Sequence, residues 1–371
     1  MTVPLLLQAT VLLLFTAVAW AMPSLAQATL PFGVRVPRER AGEPAVTAAV
    51  RPYRRRILTA GAAVTASATT VLVLAGRTTV ANAVTPPCAI ALLVGLDWAA
   101  YYRAHRAVAA AKAEGGWYDG VRQGVAVDLS IRTDPERFPR LWALPALLVT
   151  AATAGAGALR YPSLPATLTT HWNAAGHPDG HVRTTVAVAF TPVFLQIASS
   201  ALLAGTAVFA LRSRQSLDAE RPRASAAQHR AFIRWTSRGL LVLAACVDLS
   251  LLGTALVTWE VYGNRAAAAA AIGLPLLAGV AFVLAVAVRT GAHGSRLPVD
   301  AGEASGSRVV NRDDDRHWKG GLIYVNRDDS SVFVPKRFGI GWTVNFGRPA
   351  GILALLALTA VPVALAMGLT H

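Results

Sequence analysis

Residues 51–77 read RPYRRRILTAGAAVTASATTVLVLAGR. Four arginines (Arg51, Arg54, Arg55 and Arg56) precede a run without any charge, 57–76, and the single Arg77 follows it. An uncharged run of about 20 residues is what a helix needs to cross the hydrocarbon core of a bilayer. The unequal flanks give it a direction, because cytoplasmic loops retain Lys and Arg. Working outward, seven further runs are long and apolar enough to cross as well, two of them holding a single aspartate (Asp97, Asp248): 3–22, 80–98, 141–159, 184–211, 239–259, 266–288 and 350–369. Of the 35 Lys and Arg residues, 31 fall in segments 33–56, 103–140, 212–238 and 289–348. Only Arg77, Arg160, Arg183 and Arg265 fall in the alternate connections. The pattern predicts an all-α polytopic membrane protein of eight spans, in a bacterial inner membrane, with both termini outside.

That reading governs the bulk composition. A net charge of +15 and a pI near 11 would point to nucleic acid in a soluble chain. With 54% hydrophobic residues and a mean hydropathy of +0.45, the basic excess instead reads as an orientation signal and as contact with anionic headgroups. No helix-turn-helix or basic-aromatic register restores a nucleic-acid partner. The lipid bilayer is the expected one. The two cysteines, Cys88 and Cys246, both fall inside spans and make neither a disulfide framework nor a metal site by spacing. Span one ends Ala26-Gln27-Ala28, which imitates a cleavage site. No Lys or Arg precedes the apolar run and a basic segment follows it, so it is expected to remain uncleaved.

Five regions follow from this map. Region 1–140 holds three spans and basic cytoplasmic loops, and 141–211 holds two spans around an external loop, 160–183. Region 212–312 comprises a charged linker of helical composition, spans six and seven, and a Gly/Ser-rich tether, 289–312. A polar cytoplasmic module, 313–348, precedes the last span, 349–371. Within 103–140, the alternation of Val125 to Ile131 reads as a short strand. In the module, Leu322–Val325 and Val332–Val334 are apolar β-type runs separated by Asn326-Arg327-Asp328-Asp329-Ser330-Ser331, which predicts a hairpin. A lone hairpin is marginal in water, so it is expected to pack on the membrane or on 103–140.

The external loop reads Tyr161-Pro162-Ser163-Leu164-Pro165, then His171-Trp172-Asn173, Gly176, and Pro178-Asp179-Gly180. This resembles the signature of a bacterial membrane domain of unknown function found in SdpI-like proteins. The stretch Leu30-Pro31-Phe32-Gly33-Val34-Arg35-Val36-Pro37 is similar to another recurring element of that group. The resemblance implies a membrane protein of immunity and signalling, although the second, immunity-type domain of the group is not recognised here. Instead, 313–348 resembles a different small domain of unknown function. The residues that carry this are Trp318, Gly320, Tyr324, Asn326, Asp329, Phe333 to Arg337 (including Lys336), Gly339, Gly341-Trp342-Thr343 and Asn345-Phe346.

Three places are candidates for chemistry. His171, Trp172, Asn173, Gly176, Pro178, Asp179 and Gly180 form either a rigid cap built of turn chemistry or a surface that recognises an external peptide or amphiphile. His171, His177, Asp179 and His181 lie close together, but their spacing matches no recognised zinc site, and no metal or cofactor is expected. Asp248 falls near the middle of span six. An ionised carboxylate there costs about 3 kcal/mol on insertion scales and usually faces the bundle interior. It is either a proton- or cation-coupled group of a transporter or a neutral interhelical hydrogen bond to Gln196, Asn82 or a threonine. Pro192, Gly273 and Pro275 within spans suit the transporter reading. In the module, Lys336, Arg337 and Trp342 are expected to anchor to headgroups, with a docked cytoplasmic regulator as the sharper alternative. Asp313-Asp314-Asp315 reads as a solvated run. No P-loop, His-Glu-x-x-His, Gly-x-Ser-x-Gly or dinucleotide fingerprint is present, so an enzyme is not expected.

Overall fold

A computed structural model describes residues 2–75, 78–126, 133–134, 136–172, 178–213, 217–262, 264–298, 309–339 and 341–356. Among these, seven helices are long and apolar enough to cross a membrane, as a polytopic membrane protein requires. They are α1 (Thr2–Leu25), α2 (Pro44–Leu74), α3 (Thr79–Glu114), α4 (Leu144–Arg160), α5 (Thr191–Arg212), α6 (Pro222–Thr258) and α7 (Arg265–Thr290). Residues 349–356 begin a further helix, and the rest of the eighth expected span lies outside the described residues. The linker 212–238 is largely helix: α6 starts at Pro222 and runs unbroken into span six.

The chain forms two compact units. One draws on Met1–Asp128, Ser213–His229 and Gly291–His371, the other on Leu129–Arg212 and Arg230–Thr290. In the first, α2 opens with Pro44 in its first turn, where a missing N–H costs nothing. Its buried residues Val46, Tyr53, Ile57, Gly61, Val64, Ala68 and Leu72 recur at helical spacing and make one continuous stripe. Leu12 of α1 and Ala89 and Leu93 of α3 pack on that stripe with Val64 and Ala68. Gly61 lets α1 approach, since a Cβ there would lie 2.3 Å from Thr16 Oγ1. The Thr78 hydroxyl caps α3 by accepting from the Ala81 N–H.

In the second unit, α6 and α7 meet through small residues. A Cβ on Gly253 would lie 2.8 Å from Ala271 O, and the Ser250 hydroxyl donates to Ile272 O at 2.7 Å. Between α4 and α5 segment 160–183 holds a β-hairpin, with β2 (Thr167–Trp172) antiparallel to β3 (Pro178–Arg183) and a bulge around His171. This adds strands where turn chemistry alone was expected. Trp259, at the end of α6, holds the hairpin's roots. Its indole N–H donates to Ala189 O at 2.9 Å, its carbonyl accepts from Arg160 Nε, and its ring lies against Gly157.

The module also departs from expectation. β5 (Trp318–Lys319) pairs with β6 (Ile323–Tyr324), and β7 (Phe333–Pro335) with β8 (Trp342–Val344). The two runs expected to face each other therefore each pair with a different neighbour. Gly320 and Gly321, both at positive φ, make the turn between β5 and β6. The intervening segment 326–331 is a compact loop rather than a hairpin turn. The Asn345 side-chain amide donates to the carbonyls of Asn326, Asp329 and Ser331 at 2.8–3.2 Å, gathering that loop around itself. Most of the expected strand at 125–131 lies outside the described residues, and a short strand is found just before it. Gln123–Gly124 (β1) pairs in parallel with Val310–Asn311 (β4), Val125 and Ala126 are irregular, and 127–131 lie outside the described residues.

Candidate functional site

Asp248 is fully buried at the centre of a polar node in the second unit. Its Oδ2 accepts from Ser200 Oγ at 2.8 Å and from Thr150 Oγ1 at 3.2 Å. The Gln196 side-chain N–H group donates both to the Asp248 carbonyl at 2.8 Å and to Thr153 Oγ1 at 2.9 Å. A backbone carbonyl can only accept, so it fixes the amide orientation and leaves Gln196 Oε1 facing elsewhere. Asp248 Oδ1 and Gln196 Oε1 are both buried without a hydrogen-bond partner among the described residues. Of the expected partners, Gln196 and a threonine are present, and the Asn82 side chain lies outside what is described. Thr150, Thr153 and Ser200 were not singled out from sequence. Their signal is a polar i, i+3 pair on α4 and the Gln196/Ser200 pair, i and i+4, on the mostly apolar α5.

The hairpin places His171 opposite Gly180 and Trp172 opposite Pro178, with Asp179 beside the bulge. Leu168 is its buried anchor, while Thr167, Thr170, His181, Val182 and Arg183 are exposed. Its base is closed by the Thr184 N–H donating to Ala166 O at 2.9 Å. Asn173, Gly176 and His177 lie outside the described residues. No group of three His, Cys, Asp or Glu among the described residues is placed to hold a metal.

The third candidate changes character. Arg337 is 3% exposed, buried within the first unit. Its guanidinium pairs with Asp314 and Asp315, donates to Gly33 O at 3.1 Å and lies 4.9 Å over the Trp318 ring. Arg35 Nε reaches Asp314 at 3.4 Å, and the Arg35 N–H donates to Asp315 Oδ1. Lys112 Nζ bridges Asp313 at 2.7 Å and Asp315 at 2.6 Å. Three cations thus meet three carboxylates and the formal charges cancel. The aspartate run is an ion-paired node, not a solvated stretch, and Arg337 is not a headgroup anchor. Removing one member of such a node would leave the other charges uncompensated, which is where its cost lies. Lys336, by contrast, is exposed. Burial favours neutral Asp315, but Arg337 and Lys112 outweigh it and hold its carboxyl below the usual carboxylate range.

Around this node the 30–37 stretch is clamped. Phe32 adopts a positive φ of 45°, its ring meets Tyr53 edge-on and stacks on Phe338, and its carbonyl lies 2.9 Å from the Tyr101 hydroxyl and 2.8 Å from His105 Nδ1. Gly33 follows at φ 76°, against Tyr101 and Gly321. The remaining module residues are internal supports. Trp318, Tyr324 and Val334 form a small core, the Tyr324 hydroxyl donates to Asp329 at 3.0 Å and accepts from Asn326, and Trp342 opens β8.

Two family models match parts of the chain. A domain of unknown function (DUF1648) covers residues 148–195, from α4 through the hairpin into α5. A family of unknown function (DUF5808) covers 327–352, taking in β7, β8 and the start of the following helix. No curated protein and no solved structure matches the chain.

Proposed function

We propose that this chain is a non-enzymatic, SdpI-like protein of the bacterial inner membrane that senses, or protects against, a membrane-active peptide or amphiphile outside the cell. Both termini would lie outside, the β2–β3 hairpin would be the contact surface, and a cytoplasmic regulator would read the module. The observation that carries this reading is that the stretch matched by DUF1648, 148–195, begins and ends in the two helices that frame the hairpin. The same helices supply Thr150, Thr153, Gln196 and Ser200 to the Asp248 node. A displacement of the hairpin would therefore act on helices that share buried polar bonds with α6. The test is survival of a deletion strain under membrane-active peptides, complemented with wild type or with Trp172→Ala/Asn173→Ala at equal membrane levels. Protection is expected to vanish in the double variant, and full complementation by it would sink the recognition role.

A second reading, a proton-coupled transporter or permease component, is favoured by one observation: Asp248 Oδ1 and Gln196 Oε1 are buried acceptors without donors among the described residues. A single proton on Asp248 would supply one, and its gain and loss is the elementary step of proton coupling. Proton uptake by liposomes containing the wild-type protein, abolished by Asp248→Asn, is the expected result. Equal uptake by both proteins would exclude this reading.

A further inference from the structure

We propose that a cleft in the second unit, between residues 134–139 and the 230–238 turns of α6, binds the phosphate of an anionic phospholipid. The cleft has a volume of about 430 Å³ and is lined by Arg137, Arg230, Arg234 and Arg238. Among the described residues two carboxylates, Asp134 and Glu136, line it with them, against four arginines. Arg230, Arg234 and Arg238 recur every four residues on one helix face, a spacing at which like charges repel. Glu136 relieves one by a two-pronged pair with Arg234, at 2.6 and 3.2 Å, and Asp134 approaches Arg230 at 3.9 Å.

Arg238 is left without a carboxylate among the described residues. Its guanidinium lies 5.5 Å from the rings of both Trp142 and Trp235, and its Nε is buried without a hydrogen-bond partner. Two indoles hold this fork in place, and a fork of N–H donors matches the oxygens of a phosphate. The surroundings select a lipid over a free anion. Trp142 is 38% and Trp235 40% exposed, both beside Arg238, and Leu141, next to Trp142 in the chain, is 78% exposed. The apolar runs that continue into α4 and through α6 begin at 141 and 239, the positions that directly follow Arg140 and Arg238. The cleft thus sits where apolar chain gives way to charge, the level at which Trp is enriched and basic pockets hold headgroups. A soluble anion would use the arginines alone, whereas a phospholipid also covers the indoles and Leu141 with its acyl chains. This site is independent of the hairpin and of Asp248.

The experiment is native mass spectrometry of the full chain released from phosphatidylcholine vesicles doped with phosphatidylglycerol. One tightly retained phosphatidylglycerol is expected on the wild type. Arg137→Gln/Arg238→Gln should lower its occupancy roughly tenfold or more, while Arg51→Gln/Arg55→Gln, with the same loss of charge in the other unit, should not. Millimolar inorganic phosphate should leave the retained lipid in place. Equal losses in both double variants would reduce the effect to general electrostatics and overturn the site, and displacement by phosphate would overturn the lipid assignment. Should the first double variant fail to fold, a photoactivatable phosphatidylglycerol on the wild-type protein decides instead. Adducts on the peptides bearing Trp142 or Trp235 support the site, and adducts only elsewhere overturn it.

Discussion

Replacing Arg337 with Met keeps the length of the side chain and removes its charge from the interior of the first unit. Four interactions go at once: the pairs with Asp314 and Asp315, the hydrogen bond to Gly33 O and the cation–π contact with Trp318. Deleting one partner of a buried ion pair costs about 3–5 kcal/mol, because the other is left uncompensated. Here the orphaned carboxylates keep Arg35 and Lys112 and are 34% and 30% exposed, so water screens part of the loss. About 2 kcal/mol should remain, which corresponds to roughly 30-fold more frequent local opening. Hydrogen exchange read by mass spectrometry on detergent-solubilised protein measures this directly. The increase is expected together in peptides covering 29–40 and 318–345, since one guanidinium touches both. Adding Asp315→Asn to Arg337→Met should cost less than the two single changes summed. Exchange unchanged in either segment would refute the idea that Arg337 joins them.

Three further outcomes follow from named contacts. Because Asp315 has its carboxyl held below the ordinary value of 3.8, its contribution to stability is full above that pH and is lost as pH falls through the lowered value. Protection of the same peptides, normalised to intrinsic exchange, should therefore be flat from about pH 7 to 5 and fall only below about 4; a loss beginning near neutrality would contradict the pairing. Gly33→Ala places a Cβ 2.6 Å from Tyr101 Oη at a φ of 76°, and the left-handed backbone alone costs about 1 kcal/mol. A lowered melting temperature is expected, and an unchanged one would mean that the 30–37 stretch is not clamped. Gly157→Leu should destabilise by about 1–3 kcal/mol through overpacking, since a Cβ there lies 3.0 Å from the Trp259 ring. Gly155→Leu, two residues away on α4 with nothing within 4 Å, is the control and should melt like wild type.

The seven described helices were legible because span length and charge alternation are properties of contiguous residues, and so was Gln196 as a partner of Asp248, since polar residues in apolar spans seek one another. The hairpin was half visible. Thr167 to Trp172 is rich in β-branched and aromatic residues, but the Gly, Pro and Asp that follow drew the reading towards turns alone. The pairing within the module was not legible, because its arrangement is set by Asn345, a side chain remote in sequence from the loop it gathers. Least legible was the ion node. A run of three aspartates is ordinarily a solvated feature, and nothing local distinguishes it from one that draws two of its three cations from more than two hundred residues upstream.

That separation sets an order of assembly. Lys112 leaves the ribosome 203 residues before Asp315, and Arg35 279 residues before Asp314. Until α7 is complete neither cation has Asp313, Asp314 or Asp315 to meet, at the stage when Lys and Arg orient a nascent chain across the bilayer. Once 313–337 emerges, the same charges are neutralised and become internal supports. Two residues thus act twice, first as signposts for insertion and later as the seal on a finished unit. A chain stalled before Asp313 would be correctly threaded yet unsealed, and open to quality-control proteases at its first loop.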